Sequence, residues 1–149
     1  MRFFERLKSD YLYLAGTVRL FARLIPILRR PNQTICDQIE NLARRFADRP
    51  ALISASRTMT YRDLDGDANR YARWAIQVGV NKGDVVALLM SNRPEFVAAW
   101  VGIARAGGVV ALLNTNQVGT SLAHSVDIVA ADHVVVGAEM AHTIGTALR

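Results

Sequence analysis

The residues best suited to nucleophilic chemistry stand close together: Ser121, His124, Ser125 and Asp127. A serine hydroxyl beside an imidazole that is oriented by a carboxylate can attack an acyl carbon. Such a triad needs its three groups to converge from different elements. Here all four residues belong to one segment with helical spacing, so His124 and Asp127 reach neighbouring positions but no third group comes in from elsewhere. A solvated helix face is the expected role. His124, His133 and His142 are nine residues apart, which is not a metal-ligand spacing, and the single cysteine, Cys36, gives zinc no cysteine pair. Cys36 has no histidine near it in sequence and reads as a small hydrophobe at the start of a helix. Gly102 and Gly107 have the four intervening residues of a phosphate loop, but Gly108-Val109 stand where Lys and then Ser or Thr are required. Both glycines also fall within or at the end of a helix, where carbonyls rather than amide donors point outward. No catalytic residue and no metal ligand is assigned from the sequence, and the cofactor-binding residues stay unassigned.

Two loops are placed where ligands collect. Asn92-Arg93-Pro94-Glu95 and Asn114-Thr115-Asn116-Gln117 each follow the carboxyl end of an expected strand. Ligands of open α/β sheets bind at that edge. Asparagine there more often caps or turns the chain, so neither loop is named a binding site on sequence alone.

The elements behind these loops follow from apolar patterning. Val85–Met90, Val109–Leu113 and His133–Val136 are short valine-rich runs whose starts are spaced 24 residues apart. Helical segments over Pro94–Ala106 and Thr120–Ala131 lie between them. Continuous apolar strands alternating with helices predict parallel neighbours buried on both faces. Phe96, Val97, Trp100, Val101, Ile103 and Ala104 make the first of these helices apolar on most sides, so Trp100 is expected to be buried. Upstream, Ala51–Ser54 and Thr58–Tyr61 read as two strands around a turn. Thr60 with Asp63 then opens a long helix carrying Leu64, Ala68, Tyr71, Ala75 and Val78, with Gly79 as its terminator. Ile35, Ile39, Leu42 and Phe46 mark an earlier helix.

Composition bounds the class. At 149 residues, 51% hydrophobic and 21% charged, the chain is long enough for one domain with a real core. A lone cysteine fits a reducing compartment. The net charge of +5 resides entirely in residues 1–30, which hold seven basic and two acidic side chains. Nucleic-acid binding prefers basic residues spread over a folded face with aromatics between them, so it is excluded. Phe4, Leu7, Tyr11, Leu14, Val18, Phe21, Ile25 and Leu28 alternate spacings of three and four along this leader, which makes an amphipathic helix that Pro26 ends or kinks. Arg19 and Arg23 are too costly in hydrocarbon for a spanning helix, and no small-residue cleavage site suits a signal peptide. A basic helix with an aromatic and leucine face fits a membrane surface.

Read in order, these segments resemble the acyl-adenylating (AMP-forming) acyl-CoA synthetase superfamily. Arg49-Pro50-Ala51-Leu52-Ile53 resembles its opening strand, and Met59-Thr60-Tyr61-Arg62-Asp63-Leu64 the entry to its first long helix. The stretch from Gly79 to Ala87 is similar to the family's G-V-x-K-G-D-x-V-A turn and strand. Asn92-Arg93-Pro94-Glu95-Phe96 and Ala106-Gly107-Gly108-Val109 match the next helix and strand. Leu112-Leu113-Asn114-Thr115-Asn116 with Leu122-Ala123-His124-Ser125 is most similar to the fatty-acid transport protein and very-long-chain acyl-CoA synthetase branch.

The resemblance implies an α/β fold, a parallel sheet with flanking helices. It would form an incomplete amino-terminal portion of the large acyl-adenylating domain over residues 32–149, preceded by a leader helix over residues 1–31. It implies ATP-dependent activation of long- or very-long-chain fatty acids to acyl-CoA through an acyl-adenylate, with ATP, Mg2+ and CoA used by the full-length enzyme. The family's phosphate loop, ribose-binding acid, hinge and carboxy-terminal lysine domain do not occur among these residues. The chain alone is therefore expected to be inert as a ligase and to bind none of these cofactors tightly. A non-catalytic membrane-associated α/β module and a truncated gene product are the competing readings. The expected location is cytoplasmic and peripheral at the membrane, with residues 1–30 on its surface, a fatty acid as the family's substrate, and self-association through exposed edges.

Overall fold

The computed structural model describes residues 2–28 and 33–147. The side chains of Phe4, Leu7 and Leu28 and the boundary at Arg30-Pro31-Asn32 lie outside the described residues. The chain divides into two units, Met1–Thr34 and Ile35–Arg149. The first holds one helix among its described residues, α1, Arg2–Leu28, with Pro26 in its last turn. Tyr11, Leu14, Val18, Phe21 and Ile25 of the expected stripe are exposed, and so are Tyr13, Leu20 and Leu24. Among the described residues, no helix is long and apolar enough to cross a membrane.

The second unit opens with α2, Ile35–Phe46, and a hairpin of β1, Pro50–Ile53, and β2, Thr58–Thr60, paired antiparallel. The Ser54 hydroxyl donates to the Arg57 carbonyl at 2.9 Å and accepts from the Arg57 N–H at 3.0 Å, closing the turn. Thr60 then caps α3, Tyr61–Gln77. Its hydroxyl accepts from the Asp63 N–H at 3.1 Å, while the Asp63 carboxylate accepts from the Thr60 N–H at 3.1 Å. This reciprocal box satisfies two amides the first turn leaves unpaired. Helix α3 ends as expected at Gly79, whose φ of +90° is cheap only for glycine.

Three parallel strands follow: β3, Val85–Leu89, β4, Val109–Leu112, and β5, His133–Val136, in the order β4-β3-β5. Helices α4, Pro94–Arg105, and α5, Gly119–Ile128, connect them, and a 3-10 turn, Ala138–Met140, leads into α6, Ala141–Ala147. Alternate side chains of β3 serve opposite layers. Val86 packs with Ala75 and Ile103, and Leu88 and Met90 with Ala99, on the α3–α4 side. Ala87 and Leu89 pack with Leu122 and Met140 on the α5–α6 side.

Three expectations are corrected. Burial on both faces holds for β3 alone. Both neighbours are outer strands of this sheet, and Val109 and Leu112 are 52% and 51% exposed. Helix α5 stops at Ile128, short of Ala131, because Ala130 takes a positive φ of 46° that no helix continues. Trp100 is 38% exposed. Helix α4 buries Pro94, Ala98, Ala99, Val101, Gly102 and Ile103, which at roughly 100° per residue occupy one continuous side and leave Trp100 opposite.

Gly102 sets how closely α4 approaches α3. A Cβ there would collide with the Ala68 carbonyl oxygen and stand 2.5 Å from Tyr71 Cβ, closer than real Cβ atoms come. Its role is thus close packing and not phosphate binding. Arg105 adds a polar clamp across the same pair, donating to Asp65 at 2.8 Å and to Asn69 at 2.6 Å. Gly102→Ala is expected to destabilise the unit by about 1–3 kcal/mol through overpacking against backbone. Trp100→Ala should cost well under the roughly 3–5 kcal/mol of a fully buried tryptophan. Urea titrations of the two variants measure both, and a larger loss for Trp100→Ala would reverse this assignment of faces.

Candidate functional site

In the order β4-β3-β5, the connection through α4 leads to one side of β3 and the connection through α5 returns across it to the other. The crevice of an open α/β sheet lies at such a reversal, here beyond the carboxyl ends of β3 and β5. The loop Ser91–Glu95 and the turn Gly137–Glu139 meet there. The Ser91 N–H donates to Glu139 Oε1 at 3.0 Å, and Arg93 Nη1 donates to Glu139 Oε2 at 3.3 Å. The Glu139 side chain folds back over Gly137, with its Cδ 2.7 Å from where a Cβ would stand. The Gly137 N–H continues the ladder, donating to the Leu89 carbonyl at 2.8 Å.

The charges extend from this crevice as a chain. Arg93 Nε donates to Glu95 Oε2 at 2.8 Å, and Arg57 Nη1, from the hairpin turn, donates to Glu95 Oε1 at 2.8 Å. Arg57 Nη2 lies 3.7 Å from Asp67 Oδ2, and Asp67 is paired in turn with Arg70. The order is Glu139, Arg93, Glu95, Arg57, Asp67, Arg70, with the signs alternating. The hydrogen bond from Arg93 is the chief reason the Glu95 carboxyl is pushed down to about 2, with its own backbone N–H and Arg57 assisting. The Ser91 N–H chiefly lowers Glu139, and the bond to Glu95 holds Arg93 more firmly in its charged form. Beside the chain lies a cleft of about 620 Å³ lined by Tyr71, Trp74, Met90 and Val134–Val136.

The residues singled out in the sequence do not assemble a reaction centre. The Ser125 hydroxyl donates to Gln117 Oε1 at 2.9 Å and to the Ser121 carbonyl at 3.1 Å, not to His124. His124 and Asp127 are exposed, and the described hydrogen bonds include none between them. His133 lies on β5 and His142 on α6, and among the described residues no three His, Cys, Asp or Glu side chains gather as for a metal. Cys36 is half-buried against the core, its Sγ 3.6 Å from the Val101 carbonyl. Asn114 Oδ1 accepts from the Asn116 N–H at 2.9 Å, which makes that loop a turn. Of the residues on the two loops, Arg93 and Glu95 enter the charge chain. Arg57, Asp67 and Glu139 were not anticipated, because each joins it across 38 or more residues of sequence or through an unremarkable helical carboxylate. The arrangement offers neither a free nucleophile nor a free base. It braces the hairpin, α3, α4 and the turn after β5 around one crevice.

The sequence model of the family described as AMP-binding enzyme matches residues 39–148, nearly the whole second unit. The chain belongs to the AMP-binding enzyme family. Among its relatives, long-chain fatty acid transport protein 1 of Rattus norvegicus is 40% identical over 118 residues, covering 78% of the chain and 18% of that protein. The long-chain-fatty-acid–CoA ligase of Escherichia coli O157:H7 is 34% identical over 113 residues, covering 75% of the chain and 20% of that protein. The chain thus spans about a fifth of the length of these curated relatives. Among solved structures, the N-terminal domain of FACL13 from Mycobacterium tuberculosis superposes with a TM-score of 0.71 at 30% identity, covering 76% of the chain and 29% of that domain. The α/β fold and the family read from the sequence both hold.

Glu95 provides the check on the charge chain. Its folded-state carboxyl lies below its ordinary 4.5, so its contribution is present above that value and lost as pH falls toward about 2. Its side chain is 23% exposed, so solvent screening tempers the effect. Glu95→Gln should lower stability by roughly 1–2 kcal/mol near neutral pH. The gap to the parent should narrow between about pH 5 and pH 3. Urea titrations across that range measure it, and a gap independent of pH would remove Glu95 from the network.

Proposed function

We propose that residues 32–149 form the opening portion of the large domain of an enzyme that activates long- or very-long-chain fatty acids. A carboxylate would attack the α-phosphorus of ATP, releasing pyrophosphate and leaving an acyl-adenylate. The CoA thiol would then displace AMP. The observation that carries this reading is the family match across residues 39–148, joined to relatives whose names specify fatty acid transport and fatty-acid–CoA ligation.

Residues 1–31 are the second part of the proposal: a leader helix that holds the chain peripherally at a membrane on the cytoplasmic side. Its basic charge and its exposed tyrosine, leucine, valine and phenylalanine side chains support this.

The segment alone is proposed not to perform the ligation. The residues described do not fit ATP or Mg2+. Adenylation crowds negative charge at the α-phosphate and calls for amide cradles, free cations and a metal. In this segment Arg93 and Arg57 are each engaged by carboxylates. What the segment would supply is a packed layer and a braced sheet end for the rest of such an enzyme.

The experiment is carboxylate-dependent exchange of labelled pyrophosphate into ATP, with magnesium and a panel of fatty acids. Residues 1–149 alone should match a heat-killed control. A chimera with residues 32–149 replacing the matching part of the Escherichia coli ligase should be folded and exchange with long-chain acids. Turnover by residues 1–149 would overturn the claim of incompleteness. A folded chimera without exchange would overturn the assignment of the segment to such an enzyme.

A further inference from the structure

The leader helix is apolar over more of its circumference than the stripe of every third or fourth residue. Between Tyr11 and Ile25, at roughly 100° per residue, Leu20, Tyr13, Leu24, Phe21, Leu14, Ile25, Val18 and Tyr11 all fall within about half a turn. All eight are exposed. Within residues 11–25 one polar side chain, Thr17, falls inside this half, and its hydroxyl donates to the Tyr13 carbonyl at 2.9 Å. That bond satisfies the hydroxyl within the helix and removes the penalty for taking it out of water.

The opposite half has a different construction. Arg19 and Arg23 lie one turn apart, both exposed, and are flanked around the circumference by Ala15, Ala22 and Gly16. Two guanidinium groups at i and i+4 are neighbours on a helix surface. Guanidinium forks recognise phosphate oxygens in a planar, two-bond geometry that an ammonium cannot copy.

We propose that the stretch of α1 over residues 11–25 lies in the plane of a bilayer, immersed to about its own axis, with Arg19 and Arg23 together holding the phosphate of an anionic lipid. This rests on the reading of residues 1–31 as a membrane-surface helix and adds its depth, its rotation and its headgroup. The apolar half faces the acyl chains, and the satisfied Thr17 hydroxyl travels with it. The arginine stems run up the small-residue half and place their heads at the phosphate level. The occupant is a lipid surface because the apolar half needs hydrocarbon while the two cations need a phosphate at its border. A bilayer interface offers both in that order.

The test is co-sedimentation of the full 149-residue chain with phosphatidylcholine vesicles containing phosphatidic acid. Three proteins are compared: the parent, Arg19→Lys/Arg23→Lys and Arg19→Gln/Arg23→Gln, each checked for helix content by circular dichroism. The glutamine pair should partition about thirty-fold more weakly, the effect of two lost surface charges. The lysine pair, with charge retained, should be about three- to tenfold weaker, because the forked contacts are gone. Equal partition of the lysine pair and the parent would overturn the phosphate seat and leave diffuse attraction. Equal partition of all three would remove the arginines from the interface. A parent chain that does not sediment with vesicles would instead defeat the membrane reading on which the proposal rests.

Discussion

Val86, Ala87, Leu88 and Leu89 have no exposed surface, and the second unit is arranged around keeping this one strand out of water. A parallel strand buried on both faces needs a layer above, a layer below and a partner on each edge. Helices α3 and α4 supply the first layer, α5 and α6 the second, and β4 and β5 the edges. Each device elsewhere serves that arrangement. The Thr60–Asp63 box starts α3 where its apolar side meets the sheet, and Gly102 lets α4 close onto α3 without a Cβ between them. Because the connections after β3 and β5 leave toward opposite faces of the sheet, a crevice opens where they part.

That crevice explains the charge chain. The loops after β3 and β5 bring the Ser91 amide, Arg93 and Glu139 together at a sheet end where backbone donors would otherwise be unpaired. Glu139 satisfies them from within the chain, and Glu95 with Arg57 carries the tie to the hairpin. The site at the place where an α/β sheet ordinarily receives a ligand is therefore a brace in this segment.

Local signals made most of this legible. Valine-rich runs 24 residues apart located all three parallel strands, because parallel strands packed between helical layers are rich in β-branched apolar residues. Capping and terminating residues located the ends of α3, because those depend on side chains one turn away. What was missed depends on distance. The exposure of Val109 and Leu112 follows from which strand is central, a property of strand order that no run of valines encodes. Trp100 falls on the outer side of α4 because small residues, not the largest one, face α3. Arg57 meets Glu95 across 38 residues and Ser91 meets Glu139 across 48, and neither pairing leaves a local spacing to detect. The His124–Ser125–Asp127 cluster shows the converse: suitable types side by side on one helix, directed apart by its geometry.

The central claim is that β3 is the organising strand of a folded unit. Residue-resolved amide hydrogen exchange of the native chain tests it directly. Amides in β3, paired on both edges and buried on both faces, should exchange only through global unfolding, while those directed to the outer edges of β4 and β5 should exchange orders of magnitude faster. Uniform, weak protection across all three strands would show that no layer structure forms around β3, and the account would fail at its base.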